Sequence, residues 1–138
     1  MTLNLLLDCS NNEDKVNNLS ENFNFNVVTE TPVNEHFFVF KENGLNFFFS
    51  CNDAKPLHID FLKGSTGWRL KRFEHEKLLK KTLGKNSESI CIFDGTAGLL
   101  SDTLIFLALG HKVIACEQSK ILFILLLDAI ERAKGQLQ

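Results

Sequence analysis

The sequence predicts an α/β fold, and three observations carry the prediction. From residue 87 onward, short apolar runs alternate with helical patterns in the order β-α-β-α, which requires a parallel sheet with right-handed crossovers. Upstream, Asn43-Gly44 stands between two phenylalanine-rich runs, the strongest short-range signal for a β-hairpin. The 138 residues are 44% hydrophobic and 23% charged, a balance that supports a packed core and fits one domain or one and a half small ones.

Taken in order, Leu3 to Leu7 reads as a short strand and Asn11 to Asn22 as a surface helix, with Val16 and Leu19 at helical spacing. Val27 and Val28 suggest a second strand. In "HFFVFKENGLNFFFS", a type I′ turn at Asn43-Gly44 would join two strands. Phe37, Phe38, Phe40, Phe47, Phe48 and Phe49 are apolar on both faces, so the hairpin is expected to be covered on both sides. "LHIDF" (57 to 61) reads as a further strand. Leu70, Phe73, Leu78, Leu79 and Leu83 predict one helix over 70 to 83 that stops at Gly84. Ile90 to Phe93 and Lys112 to Cys116 read as strands, Ser101 to Leu109 and Ile121 to Lys134 as helices. Asp128, Glu131 and Arg132 mark the wet side of the last helix. The chain thus divides into a small α+β module with the hairpin (1–62), a basic connecting segment and helix (63–86), and a βαβα unit (87–138).

The net charge of -2 hides an asymmetry. Between residues 55 and 85, nine Lys or Arg face three acids (Asp60, Glu74, Glu76), a local +6 against -8 elsewhere. Such a block suits an anionic partner, and a solvated helix face is the alternative. No apolar stretch approaches the roughly 20 residues of a membrane span, and no basic region precedes the first apolar residues as in a signal peptide, so a cytoplasmic location is expected. Cys9, Cys51, Cys91 and Cys116 lack metal-knuckle or redox spacing. Cys91 and Cys116 fall in predicted strands and are expected to be small buried hydrophobes. His36, His58, His75 and His111 form no spaced ligand set, so no metal is expected. Trp68 beside Arg69 could stack on a base, although a lone tryptophan is more often a core or hinge residue.

The βαβα unit carries the candidate site. Its first strand ends at Asp94 and runs into Gly-Thr-Ala-Gly; its second ends at Glu117, 23 residues later. Ligands of open α/β sheets bind outside the carboxyl ends of strands, and an acid about 20 residues past a glycine turn is where a ribose diol is held. The loop D-G-T-A-G-L-L-S-D keeps only part of the glycine set of a dinucleotide site. It also brings Asp94 and Asp102 to the turn, where they would repel a diphosphate. A zwitterionic nucleoside carrying ammonium and sulfonium, such as S-adenosylmethionine, fits better than NAD. A glycine turn and a strand-end acid found together by chance are the competing explanation.

Further motifs extend the pattern: Ile59-Asp60-Phe61, Lys81-Thr82-Leu83-Gly84, "DGTAGLLSD", Glu117-Gln118 and "LLLDAIERA", with Asp128, Arg132 and Ala133 at matching intervals. From 57 to 134 the chain resembles the RsmJ family, S-adenosylmethionine-dependent methyltransferases that act on a guanine exocyclic amine of small-subunit (16S) ribosomal RNA. Two features depart from the family pattern. "RFEHE" (Arg72 to Glu76) replaces a glycine-rich loop, and Ser101 and Gln118 stand where the family has arginine.

The resemblance implies the first part of a Rossmann-like class I methyltransferase fold after the N-terminal module. It implies S-adenosyl-L-methionine as cofactor, bound by Ser101, Asp102, Glu117 and Gln118 with Asp94, Gly95, Thr96, Ala97 and Gly98 beneath. Small-subunit ribosomal RNA is the implied partner, with Arg69, Lys71 and Arg72 in the basic segment as its expected contacts. The match covers about the first half of the family pattern. A fragment or truncated product is therefore expected, inactive by itself, with catalytic residues beyond Gln138 and an open sheet edge that favours self-association. A non-catalytic RNA-binding or scaffold remnant of the same fold is the alternative function.

Overall fold

The computed structural model of the chain describes residues 2–8, 13–84 and 88–136; Cys9, Asn11 and Lys85 lie outside the described residues. The chain builds β1 (Leu3–Leu6), α1 (Glu13–Phe23), β2 (Phe25–Val28), β3 (Phe37–Lys41) and β4 (Gly44–Phe48). It continues through α2 (Gly64–Lys71), α3 (Lys77–Leu83), β5 (Cys91–Asp94), α4 (Ser101–Ala108), β6 (Lys112–Ala115) and α5 (Lys120–Gln136). The first four strands form a mixed sheet ordered β2-β1-β3-β4, and β5 pairs in parallel with β6. The expected α/β class is what the chain adopts.

The β3–β4 hairpin is the centre of the core. Phe38, Phe40, Leu45 and Phe47 on one face join Leu3, Leu5, Ile124, Leu125 and Ala129, so α5 closes over the mixed sheet. The opposite face packs Phe37, Val39 and Phe48 with Leu6 and Cys51. Both faces are therefore covered, as the phenylalanine pattern requires, but Phe49 lies past the strand end and is 66% exposed. Ala97 and Leu100 from the glycine turn belong to the same core as the hairpin, which sets the turn rigidly against α5.

Several expectations need correction. The hairpin turn is Glu42–Asn43, because Lys41 pairs with Gly44. Asn24 and Leu100 are the non-glycine residues with positive φ among the described residues, so the turn is not type I′. Instead Gly44 alone takes the unusual backbone, φ +113, and a Cβ there would stand 2.8 Å from Asp128 Oδ2. That close approach explains the glycine. Asp128 and Arg132 are half-buried and paired rather than solvated. The Asp128 carboxylate accepts the Leu45 N–H at 3.0 Å and Arg132 Nε–H at 2.8 Å, and Arg132 also donates to the Ile59 carbonyl.

The 57–61 segment is not a strand; Leu57 makes an isolated antiparallel bridge to Phe47. The single helix expected over 70–83 is two helices. α2 starts earlier, at Gly64, and Gly67 lets it lie on the Leu62 backbone, where a Cβ would collide. Arg72 leaves the helical region at φ -120, ψ 23, and a 3₁₀ turn at Phe73–His75 leads into α3. Cys91 and Cys116 are exposed rather than buried. Their face of the β5–β6 pair also carries Phe93, 70% exposed, and Ile114, 57% exposed. No helix among the described residues is long and apolar enough to cross a membrane.

Candidate functional site

The two parallel strands end side by side, Asp94 paired with Ala115. The loops that follow are stitched together by backbone: Cys116 N–H donates to the Asp94 carbonyl at 2.8 Å, and Ala97 N–H to the Cys116 carbonyl at 3.0 Å. Gly98 (φ +52) and Leu100 (φ +57) both adopt left-handed backbone. For a leucine this conformation costs on the order of 1 kcal/mol and is concentrated at functional turns. Leu100 is held there by burial at 7% exposure and by its N–H bond to the Ala97 carbonyl.

The sequence-predicted acids converge on this turn. Glu117 Oε2 accepts the Gly98 N–H at 2.8 Å, and its Oε1 accepts the Ser119 N–H at 2.7 Å. One carboxylate thus braces both loops while keeping acceptor capacity, since an ionised carboxylate takes up to about four hydrogen bonds. Asp94 Oδ1 accepts the Thr96 N–H at 3.2 Å, and Oδ2 accepts the Thr103 hydroxyl at 2.5 Å. Thr103 is 4% exposed, so Asp94 is fixed from below by α4. Gly95, Thr96 and Gln118 are exposed at the rim, Ala97 is buried beneath it and Gly98 is half-buried.

Asp102 has a different partner. Arg69 of α2 reaches it at 2.9 Å and binds Glu76 at 2.8 Å. Next to this pair, Ser101 Oγ lies 3.4 Å from Thr66 Oγ1. The Arg69 hydrogen bond, with the Arg69 charge, holds the Glu76 carboxyl below its ordinary value against an upward push from burial. Hydrogen bonding to Glu76 and Asp102 likewise raises the already high Arg69 pKa. Arg69 is therefore committed to two carboxylates, while Lys71 and Arg72 are exposed. Trp68 is not a core residue: it is 60% exposed with the Arg72 guanidinium 4.9 Å from its ring centre.

Thr103, Thr66, Ser119 and Leu100 complete the constellation without having been singled out from sequence. Thr103 had a signal, being one of the few polar residues of the apolar helix "SDTLIFLA". Beside Glu117, a cavity of about 380 Å³ runs between α4, β6 and α5, lined by Ala97, Leu100, Thr103, Phe123 and Leu126. The residues present fit S-adenosylmethionine. The Asp94 and Glu117 carboxylates brace one small-residue turn next to an apolar cavity, with Asp102 at the start of α4, an acceptor set for hydroxyls and cations rather than for a diphosphate.

Comparison with known proteins gives the chain's family and fold likeness. Residues 18–138 match the model of a family described as putative SAM-dependent methyltransferases. Ribosomal RNA small subunit methyltransferase J of Alcanivorax borkumensis is 39% identical over 85 residues, 59% of this chain and 34% of that protein. The protein of the same name from Desulfotalea psychrophila is 39% identical over 83 residues, 59% of this chain and 32% of the relative. That from Thioalkalivibrio sulfidiphilus is 34% identical over 94 residues, 66% and 37% of the two chains. The chain spans about a third of the length of these curated relatives. The crystal structure of a SAM-dependent methyltransferase from Neisseria gonorrhoeae superposes with a TM-score of 0.73 at 23% identity. It covers 94% of this chain and 52% of its own, a likeness of fold.

Proposed function

The chain belongs to the family of putative SAM-dependent methyltransferases, and from that premise we propose that it forms the donor-binding part of a cytoplasmic enzyme that methylates a guanine exocyclic amine in small-subunit ribosomal RNA. In this reading the chain is the first part of a Rossmann-like fold, β5-α4-β6-α5, set behind an N-terminal module carrying the hairpin. The observation that carries it is the Glu117 carboxylate held 2.8 Å from Gly98 N at the paired ends of β5 and β6.

S-adenosylmethionine, when bound, supplies a methyl group on a sulfonium sulfur. Glu117 would accept the two ribose hydroxyls, its orientation already fixed by Gly98 and Ser119. Asp94, locked by Thr96 and Thr103, and the exposed Gly95 and Thr96 would line the donor beside it. Asp102 would face the cationic end of the donor while sharing its charge with Arg69, and Ser101 and Gln118 would hydrogen-bond at the rim. Lys71 and Arg72 would meet RNA phosphates, and Arg69 would position the basic segment against the donor turn. Transfer itself is positioning plus loss of one amine proton.

Titrating the chain with S-adenosylmethionine and, separately, with NAD tests the reading. Saturable binding of the first and none of the second is expected. NAD binding in place of S-adenosylmethionine would reassign the site, and binding of neither would favour a scaffold remnant.

A further inference from the structure

We propose that Trp68 and Arg72 form a stacking platform for an unpaired RNA base, a proposal that rests on the RNA reading above and gives it a contact point. Tryptophan ordinarily hides most of its large apolar surface, yet Trp68 is 60% exposed. Arg72 caps the C-terminal end of α2, four residues after Trp68, and its side chain folds back over the indole. The guanidinium lies 4.9 Å from the ring centre, within cation–π range, and fixes the indole with one face covered.

The rest of α2 explains why this face is presented. Gly67 lies on the Leu62 backbone, Thr66 meets Ser101, and Arg69 is bound to Glu76 and Asp102. The helix is anchored along that side, which turns Trp68, Lys71 and Arg72 outward. It also sets the platform in the segment tied directly to the donor turn. A flat π surface rimmed by cations, within a window of net +6, suits a ligand that is both anionic and aromatic. Single-stranded RNA has both properties, since its bases expose their faces for stacking while its phosphates meet the cations. A duplex keeps its base faces stacked internally, and an acidic peptide has no face to offer the indole.

Trp68 is the one tryptophan of a chain without tyrosine, so emission from the full 138-residue chain reports on this position alone. The chain would be titrated with a single-stranded mixed-sequence RNA of about 12 nucleotides, a length within the site sizes of single-strand binders. A hairpin duplex of the same composition and an acidic peptide serve as competitors. Saturable quenching by the single strand is expected. Labelled-RNA anisotropy should show Trp68→Leu binding about tenfold more weakly and Trp68→Phe within about threefold of the parent, with circular dichroism unchanged.

RNA binding without a change in emission, wild-type affinity in folded Trp68→Leu, or preference for the duplex or peptide would each overturn the platform. So would absence of RNA binding. The donor site is read separately by calorimetry. Intact S-adenosylmethionine binding without quenching removes the platform alone, whereas quenching without S-adenosylmethionine binding removes the donor site alone.

Discussion

Arg69 on α2 and Asp102 on α4 meet at 2.9 Å, and this contact joins the basic segment to the glycine turn. The same guanidinium holds Glu76 at 2.8 Å across the corner between α2 and α3. The Arg72 to Glu76 segment is thereby folded against an ion-pair network.

It follows that the three cations expected to meet RNA are not equivalent. Lys71→Ala and Arg72→Ala should each reduce the slope of log affinity against log salt by about 1 if each meets a phosphate. Arg69→Ala should change the slope less, because its charge is already compensated, and should instead lower the melting temperature. Binding isotherms at three or more salt concentrations check this; equal slope changes for all three would remove the distinction.

Two depressed carboxylates, Asp60 and Glu76, fix a pH dependence. Burial pushes the Asp60 carboxyl up, but the Leu62 N–H, Lys63 and Arg132 outweigh it and leave the group below its ordinary 3.8. Glu76 lies below its ordinary 4.5. A carboxylate whose folded pKa is depressed stabilises the fold above its unfolded pKa, and that contribution disappears as pH falls through the folded value. Stability should therefore fall below about pH 4. Asp60→Asn and Glu76→Gln should be less stable than the parent at neutral pH and show a shallower acid decline. Urea unfolding across the acid range measures both.

Gly44→Ala should destabilise the fold by about 2 kcal/mol, since it places an L side chain at positive φ and drives it toward Asp128 and Arg132. Chemical denaturation gives the number. A neutral substitution would mean that the hairpin and α5 separate readily.

How much of this was legible from residue patterns depends on what each pattern reports. Asp94, Glu117 and the β-α-β-α order were readable because strand ends and apolar periodicity are local. The Phe-rich hairpin was likewise readable, but its turn was not, because Gly44 is set by Asp128, 84 residues away. Asp128 and Arg132 read as solvated for the same reason: polarity does not reveal a partner distant in sequence. The break at Arg72 escaped because Leu70, Phe73, Leu78 and Leu79 keep helical spacing across the corner. Cys91 and Cys116 failed for a different reason. Strand membership implies burial only when both sheet faces are covered, and here one face carries Phe93 and Ile114 in the open.

That open face yields a further expectation. Among the described residues β5 pairs only with β6, leaving an unpaired edge beside exposed Phe93 and Ile114, a combination that favours association. Sedimentation of the chain should show a concentration-dependent oligomer, and Phe93→Lys should shift it toward monomer. A monomer at every concentration would contradict this.

The central claim is that Glu117 anchors the ribose of S-adenosylmethionine, and calorimetric titration of the parent, Glu117→Gln and Glu117→Ala tests it most directly. Loss of a carboxylate accepting two hydroxyls should weaken binding by about 1.5–3 kcal/mol in the alanine variant, with glutamine in between. Thermal unfolding followed alongside separates this loss from the loss of the Gly98 and Ser119 braces. A folded Glu117→Ala that binds S-adenosylmethionine as tightly as the parent would contradict the account.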